Sequence, residues 1–346
     1  MTNIHVDITQ FRGSHYDFGY AQGMTLRDSA VLHNRQDNWR VRTPRFKIDE
    51  HEAENAFIQF APGIWDELLG LRDALNMSMQ GVLRDFGHYR VNMKPSGCSI
   101  LTGADFMVRN YDYHPLTYDG RYSFFQPSDQ GYAIIGPASR ITGRMDGMNE
   151  KGLVMGYNFM QRRKPGDGFT CFMIGRMILE TCVTVDDAIQ LLKEIPHRGS
   201  FSYVVLDRNE KTYVIEASPR SVEVRQAYIC TNHFELLKHE NRHHLDDSYR
   251  RMNRIKEENT GSINAYDAFR LLNDKGKGVF SDLYKSWAGT IHTTAYFPKD
   301  LKAWFALGGD QEPVEFDFAS WLKGVDVAQK PIYGDLDTHL GIANMN

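Results

Sequence analysis

Gly97-Cys98 concentrates more chemistry than any other pair of residues in the chain. A chain opened between them would leave Cys98 as a new N-terminus. One residue would then carry both halves of a catalyst. The thiol attacks a carbonyl, and the free α-amine, titrating at about 7.7–8.0, takes the proton and returns it. The glycine helps sterically, since self-cleavage requires the thiol to reach the preceding carbonyl through a strained backbone. On its own, Gly-Cys equally suits a small apolar side chain buried in a strand. The neighbours change the weighting. If Arg109-Asn110-Tyr111-Asp112 returns past Cys98 in a hairpin, Asp112 can accept a hydrogen bond from a protonated α-amine. Arg109 can then lower the thiol pKa or hold a substrate carboxylate. Asn158 ends an apolar run where asparagine is disfavoured, and its backbone N–H could face an oxyanion. Asn232, in Thr231-Asn232-His233-Phe234, could supply a second donor from its amide. His233 is the alternative base, in a Cys98–His233 dyad that needs no chain cleavage.

Other clusters carry less. His239 and His243 stand four residues apart beside His244, Glu240, Asp246 and Asp247, a metal-ligand spacing if helical. The order departs from H-E-x-x-H, and the segment reads as a solvated face. Lys275-Gly276-Lys277-Gly278 lacks the frame of a phosphate-binding loop. Gln161-Arg162-Arg163-Lys164 could meet the phosphates of a substrate, or form a solvated turn.

The elements that must position these residues follow from periodicity. Asp49 to Ala74 is helical, with Ala53, Phe57, Phe60, Ile64, Leu68 and Leu71 at spacings of three and four and a break at Pro62-Gly63. Met79 to Arg90 is a further helix, and Lys94-Pro95-Ser96-Gly97 a turn. Cys98–Leu101 and Phe106–Asp112 read as strand, turn, strand. More strands follow at Tyr132–Ile135, Gly152–Tyr157, Phe201–Leu206, Thr212–Glu216, Val222–Ile229, Ser286–Tyr296 and Leu301–Leu307. A helix pair interrupts them, restarting after Thr184 with Asp187 three residues on. Strands, helices, then strands give an α+β layered fold.

Composition sets the outer bounds. The 346 residues are 42% hydrophobic and 24% charged, enough to close a sizeable core. Lys+Arg 40 against Asp+Glu 44 gives a net charge of −4, unsuited to general nucleic-acid binding. Cys98, Cys171, Cys182 and Cys230 form no CxxC pair and no disulfide framework. No signal peptide and no apolar run long enough to span a bilayer is legible, so the expectation is a cytoplasmic protein with no membrane partner.

Taken in order, these residues resemble the N-terminal-nucleophile hydrolases. The nearest group is the acyl-CoA:6-aminopenicillanic acid acyltransferase-like family, with its relatives the choloylglycine hydrolases and penicillin V acylases. The likeness begins at Gly13-Ser14-His15-Tyr16-Asp17-Phe18-Gly19 and Gly23. It continues through Gly97-Cys98, Arg109–Asp112, Asn149-Glu150-Lys151-Gly152-Leu153 with Gly156-Tyr157-Asn158-Phe159, and Thr231-Asn232-His233. The resemblance implies a four-layer αββα sandwich and a precursor that cuts itself before Cys98. Residues 1–97 would be a mostly helical pro-segment that stays associated, and 98–346 the catalytic domain. Carried over, Cys98 is the nucleophile, Asp112 orients the amine, Arg109 stands beside it, and Asn158 and Asn232 are oxyanion donors. An arginine three places after a serine maps to Arg251 after Ser248, with Arg250 as competitor. The 97 residues ahead of Cys98 fit the acyltransferase-like branch, and the short Cys98–Arg109 hairpin argues against bile-salt specificity. The implied reaction is hydrolysis or transfer of the acyl group of a linear amide or acyl-CoA. It calls for no cofactor or metal, and is compatible with a homo-oligomer. A non-catalytic binding protein on the same fold is the alternative from another class.

Overall fold

The computed structural model describes residues 1–33, 48–91, 96–160, 163–259, 263–286 and 288–342. Among them the strands form two sheets. The larger runs Val222–Arg225 (β11), Thr212–Ala217 (β10), Phe201–Leu206 (β9), Val154–Phe159 (β8), Asp146–Asn149 (β7), Ile134–Ser139 (β5), Arg121–Pro127 (β4), Thr2–Gly13 (β1) and Ile332–Leu336 (β17), with Gly143–Arg144 (β6) paired to β5. The smaller runs Ile229–Cys230 (β12), Gly97–Thr102 (β2), Met107–Tyr113 (β3), Ala288–Phe297 (β14), Lys302–Leu307 (β15) and Val314–Asp317 (β16), with Asp282–Leu283 (β13) paired to β14. One apolar core lies between the sheets, built from Ile4, Val6, Ile8, Ile100, Tyr122, Phe124, Val204, Phe305 and their neighbours. On the outer face of the large sheet pack α1 (His15–Leu26), α2 (Glu50–Phe60), α3 (Pro62–Leu75), α4 (Cys171–Thr181) and α5 (Val185–Glu194). On that of the small sheet pack α6 (Asp246–Glu258) and α7 (Ala265–Asn273). The layers are therefore α, β, β, α, as expected.

Within the first 97 residues the helical reading missed β1. Ile4, Val6 and Ile8 are buried while His5 and Asp7 are not, a period of two that was legible. β1 lies inside the large sheet, parallel to β4 from Asp7↔Arg121 to Gly13↔Pro127 and antiparallel to β17. The Gly13–Gly19 motif then opens α1. Ser14 caps it by accepting from Asp17 N–H. Gly19 lets the α1 and α3 backbones touch, since a Cβ there would sit 2.0 Å from Glu67 O. His15 is buried and joins the N-terminal helices to the rest of the chain. Its Nδ1 lies 2.7 Å from Asp129 Oδ1 and its Nε2 3.3 Å from Glu180 Oε2. Arg176 of α4 donates to Glu180 Oε1 at 2.9 Å and to Glu67 of α3.

Several elements differ from the sequence reading. The Met79 helix is one α turn, Met79–Val82, running into a π turn, Leu83–Gly87, that ends where His88 turns left-handed at φ 53. Val222–Ile229 is two strands in different sheets, because the chain crosses from one sheet to the other after Arg225. His239 lies in a single 3-10 turn, Lys238–Glu240, that ends at extended Asn241, so His239 and His243 do not share a helix face. Lys94, Pro95, Gln161, Arg162 and Trp287 lie outside the described residues. No helix among the described residues is long and apolar enough to cross a membrane.

Candidate active site

β2 and β3 form the expected hairpin, with Gly97↔Asp112, Cys98↔Tyr111 and Ile100↔Arg109 in register. Side chains alternate across a strand, so the hairpin sorts the candidates onto two faces. Cys98, Arg109 and Tyr111 point between the sheets. Gly97, Ser99 and Asp112 lie on the face toward α6 and α7.

On the outer edge of β2, β12 pairs only with Ile100 and Leu101. The outer edge of the Cys98 backbone therefore has no strand beside it, and side chains take the strand's place. Asn232 Oδ1 accepts from Cys98 N–H at 2.8 Å, and Arg251 Nη1 donates to Cys98 O at 2.7 Å. Arg251 also donates to Ser99 Oγ and Asn232 Oδ1, and is itself held by Asp247. Asn232 Nδ2 donates to Phe159 O at 3.0 Å and to Ser96 O at 3.4 Å. The Asn232 amide thus straddles the Gly97–Cys98 bond. The crossing of the chain between sheets delivers it there, and no local pattern announces that crossing.

The Cys98 sulfur accepts from Arg109 Nη2 at 3.3 Å. It is 1% exposed, and burial, opposed by the Arg109 guanidinium, pushes the thiol up to about 11. In the continuous chain Cys98 is therefore a neutral thiol sealed from solvent. Asp112 does not approach the sulfur with its side chain. Its Oδ1 accepts from Thr290 Oγ1 at 2.7 Å, and its buried Oδ2 has no partner. That free oxygen lies 3.3 Å from where a Cβ on Gly97 would stand, so the glycine leaves it room. Burial raises Asp112 to about 6 against the pull of Arg251, Thr290 and Arg109.

Of the two arginines after Ser248, Arg251 enters the site. Arg250 turns outward to Asp247 and Gly278 O. Asn158 lies in β8 and donates to Cys230 O at 2.9 Å and Thr231 O at 3.2 Å, pinning the loop that carries Asn232. Its backbone reading needs correction. Met160 N–H donates to Ser200 O, and hydrogen-bonded antiparallel pairs recur every second residue, so the Asn158 N–H is turned toward Ser202 of β9. His233 Nδ1 is engaged by Ser248 Oγ at 2.9 Å and Thr231 Oγ1 at 3.2 Å, and no hydrogen bond joins it to Cys98. The dyad is not formed. The sequence reading missed Asp146, Thr290, His292 and Tyr296. They reach this centre from β7 and β14, and nothing in their local sequence marks them.

The family model for acyl-coenzyme A:6-aminopenicillanic acid acyl-transferase matches residues 101–312, more than half of the chain. The chain belongs to this acyl-transferase family. Membership makes it an enzyme of acyl-transfer chemistry on C–N bonds, as the resemblance implied. Arg109, Asp112, Asn158, Asn232 and Arg251 fall inside the matched span, while Cys98 stands three residues before it. No curated protein matches the chain. Among solved structures it is similar to conjugated bile acid hydrolase from Clostridium perfringens, at 14% identity over 65% of this chain and 93% of that one with a TM-score of 0.49. It is also similar to Penicillin V acylase from Agrobacterium tumefaciens, at 13% over 64% and 86% with a TM-score of 0.47. The Caenorhabditis elegans ortholog of N-acylethanolamine-hydrolyzing acid amidase follows, at 13% over 59% and 93% with a TM-score of 0.41.

Proposed function

We propose that this family member is a self-processing enzyme whose nucleophile is Cys98. Cys98 Sγ attacks the Gly97 carbonyl carbon. The C–N bond of Gly97–Cys98 breaks as the C–S bond forms, and the thiol proton passes to the departing nitrogen. Water then cleaves the thioester, leaving a carboxylate on Gly97 and restoring the thiol. The new α-amine, with the unpartnered Asp112 Oδ2 as an acceptor, serves as base for the same sulfur. Cys98 next takes the acyl group of a linear amide or acyl-CoA and passes it to water or to an amine. The Asn232 amide donates to the oxyanion, and Arg251 holds Asn232 and the Cys98 carbonyl in place.

The observation that carries this reading is the placement of Asn232 across the Gly97–Cys98 bond, with Arg109 on the sulfur behind it. Intact-mass analysis tests it. Active protein is expected as two fragments that meet between Gly97 and Cys98, and Cys98→Ala as one uncut, inactive chain. Activity in an uncut chain, or in Cys98→Ala, overturns the proposal.

A further inference from the structure

Arg109 meets the Cys98 sulfur from the neighbouring strand of the small sheet and extends across the space between the sheets, where the large sheet holds a seat for it. Asp146 of β7 and Gly156 of β8 face each other in register. Asp146 Oδ2 accepts from Arg109 Nη1 at 2.6 Å, and both side chains are fully buried. The other guanidinium nitrogen, Nη2, donates to Tyr157 O at 2.7 Å while it meets the sulfur. Gly156 supplies the room. A Cβ there would stand 2.9 Å from Arg109 Cδ and 3.0 Å from Ile100 Cδ1. Asp146 is held in turn from β14. Tyr296 O–H donates to its Oδ1 at 2.5 Å, and His292 Nε2 lies 3.7 Å from Oδ2 with the ring braced by Tyr118 at 2.8 Å.

We infer that Asp146 is a positioning residue. With Gly156 opposite it, it fixes the Arg109 guanidinium on the Cys98 sulfur and balances its charge. The reading of Cys98 as nucleophile gives this seat its use, but its geometry stands without it. The charged and titratable groups facing this centre are Arg109, Asp112 and Tyr111 from β3, Tyr122 from β4 with Tyr118 just before it, Tyr157 from β8, Cys171 from α4, Arg251 from α6, and His292 and Tyr296 from β14. Burial lowers the pKa of His292 against the pull of Asp146. Asp146 is thus the anion closest to Arg109, and it sets how much of the Arg109 field reaches the sulfur.

The test is the pH titration of Cys98 in wild type and variants shown by intact mass to share the same state of the Gly97–Cys98 bond, followed by the ¹³Cβ shift of labelled cysteine and assigned by the resonance missing from Cys98→Ala. Asp146→Asn keeps an oxygen for Arg109 and removes the charge, so the Cys98 midpoint is expected about one pH unit lower than in the wild type. Gly156→Ala crowds Arg109 off the sulfur and is expected to move the midpoint up. A purely structural role would lower stability in both variants without moving the thiol. An Asp146→Asn midpoint equal to or above the wild-type value overturns the inference. If Asp146→Asn does not fold, a Gly156→Ala midpoint at or below the wild-type value does the same. If Cys98→Ala stays active, the functional proposal fails while this titration still decides the role of Asp146.

Discussion

Two regions of this molecule bury charge completely, and they do so differently. In the first, His15, Glu67, Arg176 and Glu180 join the N-terminal helices to α4. None of these four side chains leaves a buried polar atom without a partner. In the second, around Cys98, Asp112 Oδ2, Asn158 Oδ1, Arg109 Nε and His292 Nε2 all lack one. A satisfied buried network holds structure rigidly, whereas unmatched buried polar atoms carry a free-energy cost and call for an explanation. The first region reads as a clamp. The second reads as a site whose last partners come with the reaction: a new amine, an oxyanion, a substrate.

That contrast breaks most easily at Arg176. Arg176→Met takes the bonded counter-charge from buried Glu67 and leaves Glu180 only His15, and is expected to cost about 3–5 kcal/mol in calorimetric stability. The mirror experiment is Asn232→Ala. It is expected to slow chain opening and turnover by about 10²–10³-fold while the melting temperature moves much less. If Asn232→Ala unfolds the protein as readily as Arg176→Met does, the two regions are not distinct. The next effect is pH-dependent. Burial opposes the charge on His15, but Glu180 and Glu67 outweigh it and raise the group to about 9. A pKa above the unfolded value of 6.5 stabilises the fold fully below 6.5, and that stabilisation is lost as pH rises toward 9. About 3 kcal/mol is involved. His15→Gln is expected to flatten the fall in stability over that window. The smallest effect sharpens the other region. Asp112 stands at about 6, and the Thr290 hydrogen bond holds it lower than burial alone would. Thr290→Val is expected to move the acidic limb of the activity profile to higher pH with little change at its plateau. An unmoved limb would remove Asp112 from the mechanism.

Much of the fold was legible because its signals are local. The Pro62-Gly63 break, the Thr184–Asp187 capping box and the β9–β10 hairpin all stand where their residues predict. β1 was legible and overlooked. The hairpin that places Arg109 near Cys98 was readable from the turn between them. The contribution of Asn232 was readable only as a residue type, since its position depends on the chain leaving one sheet for the other between Arg225 and Ile229. Thr290, His292 and Tyr296 were read as sheet core, which they are, and their side chains also reach the site.

By itself, the sequence determined which residues have the chemistry, namely a glycyl-cysteine bond, an arginine, carboxylates and amides, and which stretches become strand or helix. Those choices rest on side-chain pKa and backbone periodicity, properties of a few adjacent residues. Only the tertiary structure decided that Asp112 faces Gly97 and not the sulfur, that Arg251 and not Arg250 enters, and that Asp146 seats Arg109. Each of these depends on which face of a strand meets which partner across two packed sheets, and contacts between residues far apart in the chain are set by packing.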